Sequence, residues 1–329
     1  MRALVTGASG FLGGHLVRLL VRQGHQVRVF VRPRSDLTRL CSFSSEIRRG
    51  ELTDRPLLRA ALDGCDAVFH LAARHRLWER RPDRVLQVNV EGTRFVLAAV
   101  QEAACGRLVY VSDEATIGRE PDDRPATEKT RFNLHAYADA YVLSKVRAEE
   151  LVLAAARAGT DAVIVNPGFL FGADDPRPSP SGGLIHRFLT GRLGYRTGGG
   201  CFAACVTDAA LGLLRAWERG VAGQRYLVGT RDLPFEELLV LLARLSGRPL
   251  PARYLPFSLA LLAGSLQELW ARSLGERAPA LPRSLLRRFV APKGVDPAAS
   301  EKQLGLTPRP LAEGLEEAIA WCRQQRGLR

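Results

Sequence analysis

Tyr141 and Lys145, four residues apart, form the pair in this sequence best suited to moving a proton. At that spacing two side chains share one face of a helix. A free tyrosine loses its proton near pH 10, too high for exchange at neutral pH; a neighbouring ammonium stabilises the phenolate and brings that value down. A phenol tuned in this way serves as a general acid or base for an oxygen passing between hydroxyl and carbonyl. The second chemical feature is the loop Thr6-Gly7-Ala8-Ser9-Gly10-Phe11-Leu12-Gly13-Gly14. The short apolar run Ala3-Leu4-Val5 precedes it, and Leu12, Leu16, Leu19 and Leu20 follow at helical spacing, so the glycines sit at a strand-to-helix turn. Glycine there permits tight backbone angles, close approach of a diphosphate and close packing of helix on strand. The free amides and the dipole at the start of that helix favour phosphate, so the loop predicts a dinucleotide site.

These residues need a frame, and the first 170 residues supply one by alternating strand and helix with short connections. Strands are expected at 26–31, 46–50, 67–71, 107–111 and 162–165, with helices at 54–62, around Val88 to Val100, and from Asp139 to Ala158. That pattern predicts an α/β fold, a doubly wound parallel sheet of the Rossmann kind, over residues 1–170. After Phe171-Gly172 the composition changes: Pro176, Pro178 and Pro180 mark one loop and glycines 198–200 another. Residues 171–329 are expected to form a smaller, mainly helical substrate-binding lobe, with segments such as Arg225 to Val228 returning to the sheet. Ligands in such folds sit at the carboxyl ends of the strands, which places the cleft between the two parts.

Composition narrows the function classes. The chain has 329 residues, 46% of them hydrophobic, and a formal charge of +13. The positive excess is almost all arginine, with four lysines, and it is scattered, without the aromatic-interleaved stripe of a nucleic-acid binder. The six cysteines include Cys201 and Cys205, whose spacing and lack of a nearby histidine pair do not suit zinc; buried free thiols and no metal are expected. Met1-Arg2 leads directly into the first strand, leaving no signal peptide, so a cytoplasmic protein is expected. The longest apolar run, Leu255 to Gly264, is about half the roughly 20 residues of a membrane span and predicts a core or pocket-lining helix.

Taken together, the Gly7-x-x-Gly10-x-x-Gly13 loop and Tyr141-x-x-x-Lys145 resemble the extended short-chain dehydrogenase/reductase, or NAD-dependent epimerase/dehydratase, family over nearly the whole chain. His70-Leu71-Ala72-Ala73, Asn89-Val90-Glu91-Gly92-Thr93, Asn166-Pro167-Gly168 and the closing Glu301 to Leu306 segment are similar to family motifs. The marks Arg76-Leu77-Trp78, Val163 to Pro167 and Ser179-Pro180-Ser181-Gly182 look most like its hopanoid-associated sugar epimerase branch, itself similar to dihydroflavonol reductases. The resemblance implies a cofactor held by Gly7, Ser9, Gly10, Phe11, Leu12 and Gly13, by Glu51 and Leu52 after the third strand, and by Leu71, Ala72 and Ala73. It adds Asn89, structural in the motif, then Val111, Tyr141, Lys145, Asn166, Pro167 and Gly168.

Three departures from the family pattern matter. Where NAD-preferring relatives end the second strand with an acid, this chain has Val31 followed by Arg32 and Arg34, which can pair with a 2′-phosphate and favour NADP. Asp113 falls where the reductase-like branch places its substrate-polarising serine. A carboxylate cannot donate to an oxyanion, so either Asp113 is held protonated or Ser112 or Thr116 stands in. Val206-Thr207-Asp208-Ala209-Ala210 matches its family motif only partly. The expected activity is an NADP-dependent sugar epimerase or alcohol/carbonyl oxidoreductase with Tyr141 as proton shuttle. Its substrate would be a nucleotide sugar or a cyclic ketone or alcohol, and a homodimer is the candidate assembly. The competing reading is an NADP-binding redox sensor or scaffold whose chemistry Asp113 has impaired.

Overall fold

The computed structural model describes all residues except 41–42, 44, 76–80, 123, 177–178, 274–285, 287–293 and 327–329. The motif Arg76-Leu77-Trp78 therefore lies outside the described residues. The first half runs β1 (Arg2–Thr6), α1 (Phe11–Arg22), β2 (Gln26–Val31), β3 (Ser45–Arg49), α2 (Arg55–Leu62) and β4 (Ala67–His70). It continues with α3 (Pro82–Leu86), a π-helical turn (Gln87–Glu91), α4 (Gly92–Glu102), β5 (Arg107–Val111), α5 (Ala140–Arg157) and β6 (Ala162–Pro167). Aspartates start two of these helices: the side chain of Asp54 accepts from the Leu57 amide, and that of Asp139 from the Val142 amide. Such caps are worth about 1 kcal/mol each.

The second half contains β7 (Phe169–Phe171), α6 (Pro180–Leu189), β8 (Tyr195–Arg196), β9 (Gly200–Cys205), α7 (Val206–Arg219), β10 (Arg225–Val228) and β11 (Arg231–Pro234). It ends with α8 (Phe235–Ser246), β12 (Arg253–Tyr254), α9 (Phe257–Ser273), α10 (Ala298–Leu304) and α11 (Leu311–Arg326). The main sheet has seven strands in the order β10-β6-β5-β4-β1-β2-β3, all paired in parallel. The order reverses between β1 and β4, which opens a crevice at the carboxyl ends of those two strands.

Both faces of the sheet are covered. On one, Leu16 and Leu20 of α1 and Leu213 of α7 pack on Val5, Val29 and Phe69. On the other, Leu58, Val96 and Val152 from α2, α4 and α5 pack on Leu4, Val68 and Leu108. A separate core gathers Phe171, Phe188, Leu239 and Leu315, all from the second half of the chain.

Beside its helices, the second half contains two small sheets: β11-β9-β7 form a three-stranded one and β12-β8 a two-stranded one. Every residue of β9 is buried, so it lacks the alternation that marks a strand in sequence. One expectation needs correction: the apolar run 255–264, expected to make a core or pocket-lining helix, enters α9, where Leu259 and Leu262 face outward. Cys201 and Cys205 lie buried on β9, and burial pushes the Cys205 thiol up to about 11.

Candidate active site

The glycine loop closes the crevice end of β1. Gly7 takes a left-handed φ of 73°, and a Cβ there would fall 2.7 Å from the Ala72 amide nitrogen. At Gly13, inside α1, a Cβ would come within 2.3 Å of the Gly7 carbonyl oxygen. These two glycines let the loop, α1 and the end of β4 touch. Gly10 differs: it is exposed, and a Cβ would meet only the Gly7 oxygen, at 3.1 Å. Gly10 starts α1 without any side-chain cap, and the first turn of α1 carries no acidic residue. The leading amides of this helix, those of Phe11, Leu12 and Gly13, precede the first intrahelical bond, from the Gly14 amide to the Gly10 carbonyl at 3.0 Å, and suit a phosphate. The residues present fit a dinucleotide diphosphate. Ser9 and Phe11 are half-buried beside Gly10, whereas Leu12 packs inward.

The end of β4 is tied to this loop by a chain of hydrogen bonds. Thr93 donates to the Asn89 carbonyl at 2.7 Å, so its oxygen accepts from Nε2 of His70 at 3.2 Å. Nδ1 of His70 then accepts from the Thr6 hydroxyl at 2.7 Å, and Thr6 in turn accepts from the Ala72 amide at 3.2 Å. Burial, reinforced by the charge of Lys145, lowers the His70 pKa to about 3. This ring is a neutral connector that fixes Leu71, Ala72 and Ala73 along the crevice.

Tyr141 and Lys145 enter from the first turns of α5. The phenol of Tyr141 donates to Oδ2 of Asp113 at 3.0 Å. Asp113 continues β5 and caps a 3₁₀ turn, Glu114–Thr116, its Oδ1 accepting from the Ala115 amide at 3.0 Å. Lys145 is buried; its Nζ donates to the Val111 carbonyl at 2.5 Å and sits 4.5 Å from the centre of the Tyr110 ring. Burial lowers the Lys145 pKa to about 8, against the opposing pull of Asp113 and Glu149. The ring of His75 lies 4.4 Å, centre to centre, from that of Tyr141.

Behind this pair stands a network that the sequence reading missed. Glu149, one further helical turn along α5, is buried. It accepts from the Thr116 hydroxyl at 2.7 Å and from Asn166 Nδ2 at 2.6 Å, and Arg225 approaches it at 3.5 Å. Thr116 is itself buried, and its hydroxyl is engaged within this network. Ser112 is different: its buried hydroxyl has no hydrogen-bond partner among the described residues. Glu149 was findable, since it continues the four-residue step of Tyr141 and Lys145. His75 carried no comparable signal.

The remaining expected residues are placed as follows. Asn89 is buried; its Oδ1 accepts from the Arg74 amide at 2.7 Å, and its Nδ2 donates to Ser144 on α5 at 2.8 Å. It braces the segment after β4 against the helix of Tyr141. Pro167 and Gly168 are buried at the end of β6, and a Cβ on Gly168 would fall 2.5 Å from the Phe202 oxygen. Leu52 packs beside Gly92, while Glu51 is exposed. Arg32 and Arg34 are exposed just after β2, on a loop held where Arg49 donates to the Pro33 carbonyl at 2.7 Å. Arg39, also missed, reaches over Gly14 of α1; Asp174, at a left-handed φ of 71°, pairs with both Arg39 and Arg18. In the changed 206–210 segment, Asp208 accepts from the Arg309 amide at 2.9 Å.

The profile of the NAD dependent epimerase/dehydratase family matches residues 3–199. This chain belongs to that family. Among its family relatives, a putative dihydroflavonol 4-reductase of Synechocystis sp. is 34% identical over 321 residues, spanning 96% of this chain and 93% of the relative. Sterol demethylase protein B of Methylococcus capsulatus is 32% identical over 99% of both chains. A nucleoside-diphosphate-sugar epimerase from Pseudomonas aeruginosa superposes with a TM-score of 0.83 at 26% identity, covering 100% of this chain and 99% of that one. The chain is thus an enzyme of the epimerase/reductase type with an NAD(P)-binding fold, and among its described residues no helix is long and apolar enough to cross a membrane.

Proposed function

We propose that this enzyme is an NADP-dependent oxidoreductase acting on the carbonyl or hydroxyl carbon of a cyclic, largely apolar substrate, with Tyr141 transferring the proton. The observation that carries the reading is the hydrogen-bonded Tyr141–Asp113 pair beside the buried Lys145. NADP, when bound, supplies or accepts the hydride. Gly7, Ser9, Gly10, Phe11, Leu12 and Gly13 would hold its diphosphate, Arg32 and Arg34 its 2′-phosphate, and the ends of β4 and β6 its nicotinamide half.

The chain's own groups do the rest. Asp113 accepts from Tyr141, which aims the hydroxyl and keeps its proton in place until a substrate oxygen offers a better acceptor. Lys145 supplies the compensating positive charge when the phenol gives up that proton. The unpaired Ser112 hydroxyl is the available second donor, because Thr116 is engaged with Glu149 and Asn166. The names of the two sequence relatives, a dihydroflavonol reductase and a sterol demethylase protein, support a polycyclic substrate. A second reading, nucleotide-sugar epimerisation, is favoured by the Pseudomonas structural likeness; it differs only in keeping the keto intermediate bound. A cytoplasmic homodimer completes the proposal.

The deciding experiment follows NADPH absorbance with a panel of flavanonols, sterol ketones and nucleotide sugars. Tyr141→Phe is expected to lower turnover by about 10²-fold or more while NADPH binding survives. Equal turnover by the Phe variant would remove Tyr141 from the chemistry. Bound NADPH with no turnover of any class would favour the sensor reading.

A further inference from the structure

Glu149 is almost wholly removed from water, with its side chain 5% exposed, and the proton transfer described above gives it no part. It stands four residues beyond Lys145 on α5 and eight beyond Tyr141, so the three share one helix face. A buried carboxylate is costly unless donors surround it. Three do: the Thr116 hydroxyl at 2.7 Å, Asn166 Nδ2 at 2.6 Å and, from β10, Arg225 Nη1 at 3.5 Å. Arg225 is held in place by the Thr130 carbonyl, to which its Nη2 donates at 2.9 Å. An amide NH₂ and a guanidinium can only donate, which suits the ionised carboxylate.

This arrangement joins α5 twice to the turn after β5. Tyr141 meets Asp113 at the crevice, and Glu149 meets Thr116 about two helical turns deeper. It also sets a negative charge one turn from the Lys145 ammonium. Around that ammonium stand Tyr110 on β5, the neutral His70 on β4, Asp113 after β5, and Tyr141 and Glu149 on α5. Asp113 and Glu149 are its anions among the described residues. Asp113 is half-buried and engaged with the Tyr141 phenol, whereas Glu149 is buried, where its field is screened least.

We propose that Glu149 is a positioning residue whose charge, one turn along α5, holds Lys145 as the ammonium that compensates the Tyr141 phenolate, with Arg225 setting the strength of that charge. The consequence for turnover rests on the proton-transfer reading; the state of Lys145 rests on the network alone. In carbonyl reduction Tyr141 gives its proton to the substrate oxygen and becomes the phenolate beside Lys145. The rate therefore falls as pH rises through the Lys145 pKa, which burial lowers to about 8. Loss of the Glu149 charge leaves burial less opposed, so this falling limb moves to lower pH. Loss of Arg225 bares the Glu149 charge and moves the limb to higher pH.

The test titrates Lys145 by NMR in the full chain carrying isotopically labelled lysine. The chain has four lysines, and the signal that Lys145→Arg removes identifies the one required. Glu149→Gln keeps the shape and an acceptor for Thr116; it is expected to lower the Lys145 midpoint by about one pH unit or more. Arg225→Gln is expected to raise it. NADPH-linked reduction, followed over the same range, should show its falling limb moving with each midpoint. An unmoved midpoint in Glu149→Gln overturns the proposal. So does a shift of both variants in the same direction, which loosened packing alone would produce. Where Glu149→Gln does not fold, the sign of the Arg225→Gln shift decides. Midpoints that move in opposite directions while the reduction limb stays fixed uphold the hold of Glu149 on Lys145 and count against the proton-transfer reading instead.

Discussion

The phenol of Tyr141 and Oδ2 of Asp113 are 3.0 Å apart, so the residue proposed to transfer the proton is hydrogen-bonded to a carboxyl group. The same carboxyl group holds the 3₁₀ turn through Ala115. Asp113 therefore has two structural attachments, and in the proposed reaction a substrate oxygen draws the Tyr141 proton away from it.

Asp113→Asn should keep the contact to the Ala115 amide while removing the negative charge beside the phenol. Alcohol oxidation needs the phenolate, and an adjacent anion opposes its formation. The rising limb of the pH–rate profile for oxidation is expected to move to lower pH in the variant. An unmoved profile would show that the two groups are not coupled.

The glycines of the loop should separate folding from cofactor binding. At Gly13 a Cβ would meet backbone at 2.3 Å, so Gly13→Ala is expected to cost about 1–3 kcal/mol or more of stability. At Gly10 the nearest atom is 3.1 Å away and the residue starts the helix proposed to hold the phosphates, so Gly10→Ala should weaken NADPH with little change in melting temperature. Thermal melts with and without NADPH distinguish the two.

Arg32, proposed to meet a 2′-phosphate, is exposed after β2. A charge-assisted pair contributes about 1.5–3 kcal/mol, so NADP should bind at least roughly tenfold more tightly than NAD, and Arg32→Ala should narrow that gap. Fluorescence titration with both cofactors measures it. Equal affinities in the parent protein would reverse the assignment.

Acid should unfold the protein through its buried histidines. Burial lowers His70 from 6.5 to about 3 and His15 from 6.5 to about 4. Between those values and 6.5 the unfolded chain binds protons that the native chain does not, so stability rises with pH across this window and is lost as pH falls through it. Denaturant midpoints measured from pH 7 to pH 4 should decline, and His70→Asn should flatten the decline.

The sequence by itself determined the parts whose cause is local. The strand–loop–helix unit at 2–22, the Asp54 and Asp139 caps, and the four-residue step from Tyr141 to Lys145 each lie within one short window. There, glycine geometry, capping chemistry and apolar period act without help from distant residues. The tertiary structure decided what depends on chain closure. Asp113 meets Tyr141 across 28 positions, Thr116 meets Glu149 across 33, and Asp174 meets Arg39 across 135. No periodicity encodes such encounters, because they arise only when segments distant in sequence are brought together, as α5 is against the ends of β5 and β6 and the loop after β7 against the loop after β2. The orientation of α9 was decided in the same way: an apolar stripe has the same spacing whether it faces a core or the outside, and only the packing of Ala260 and Gly264 inward turned its leucines out.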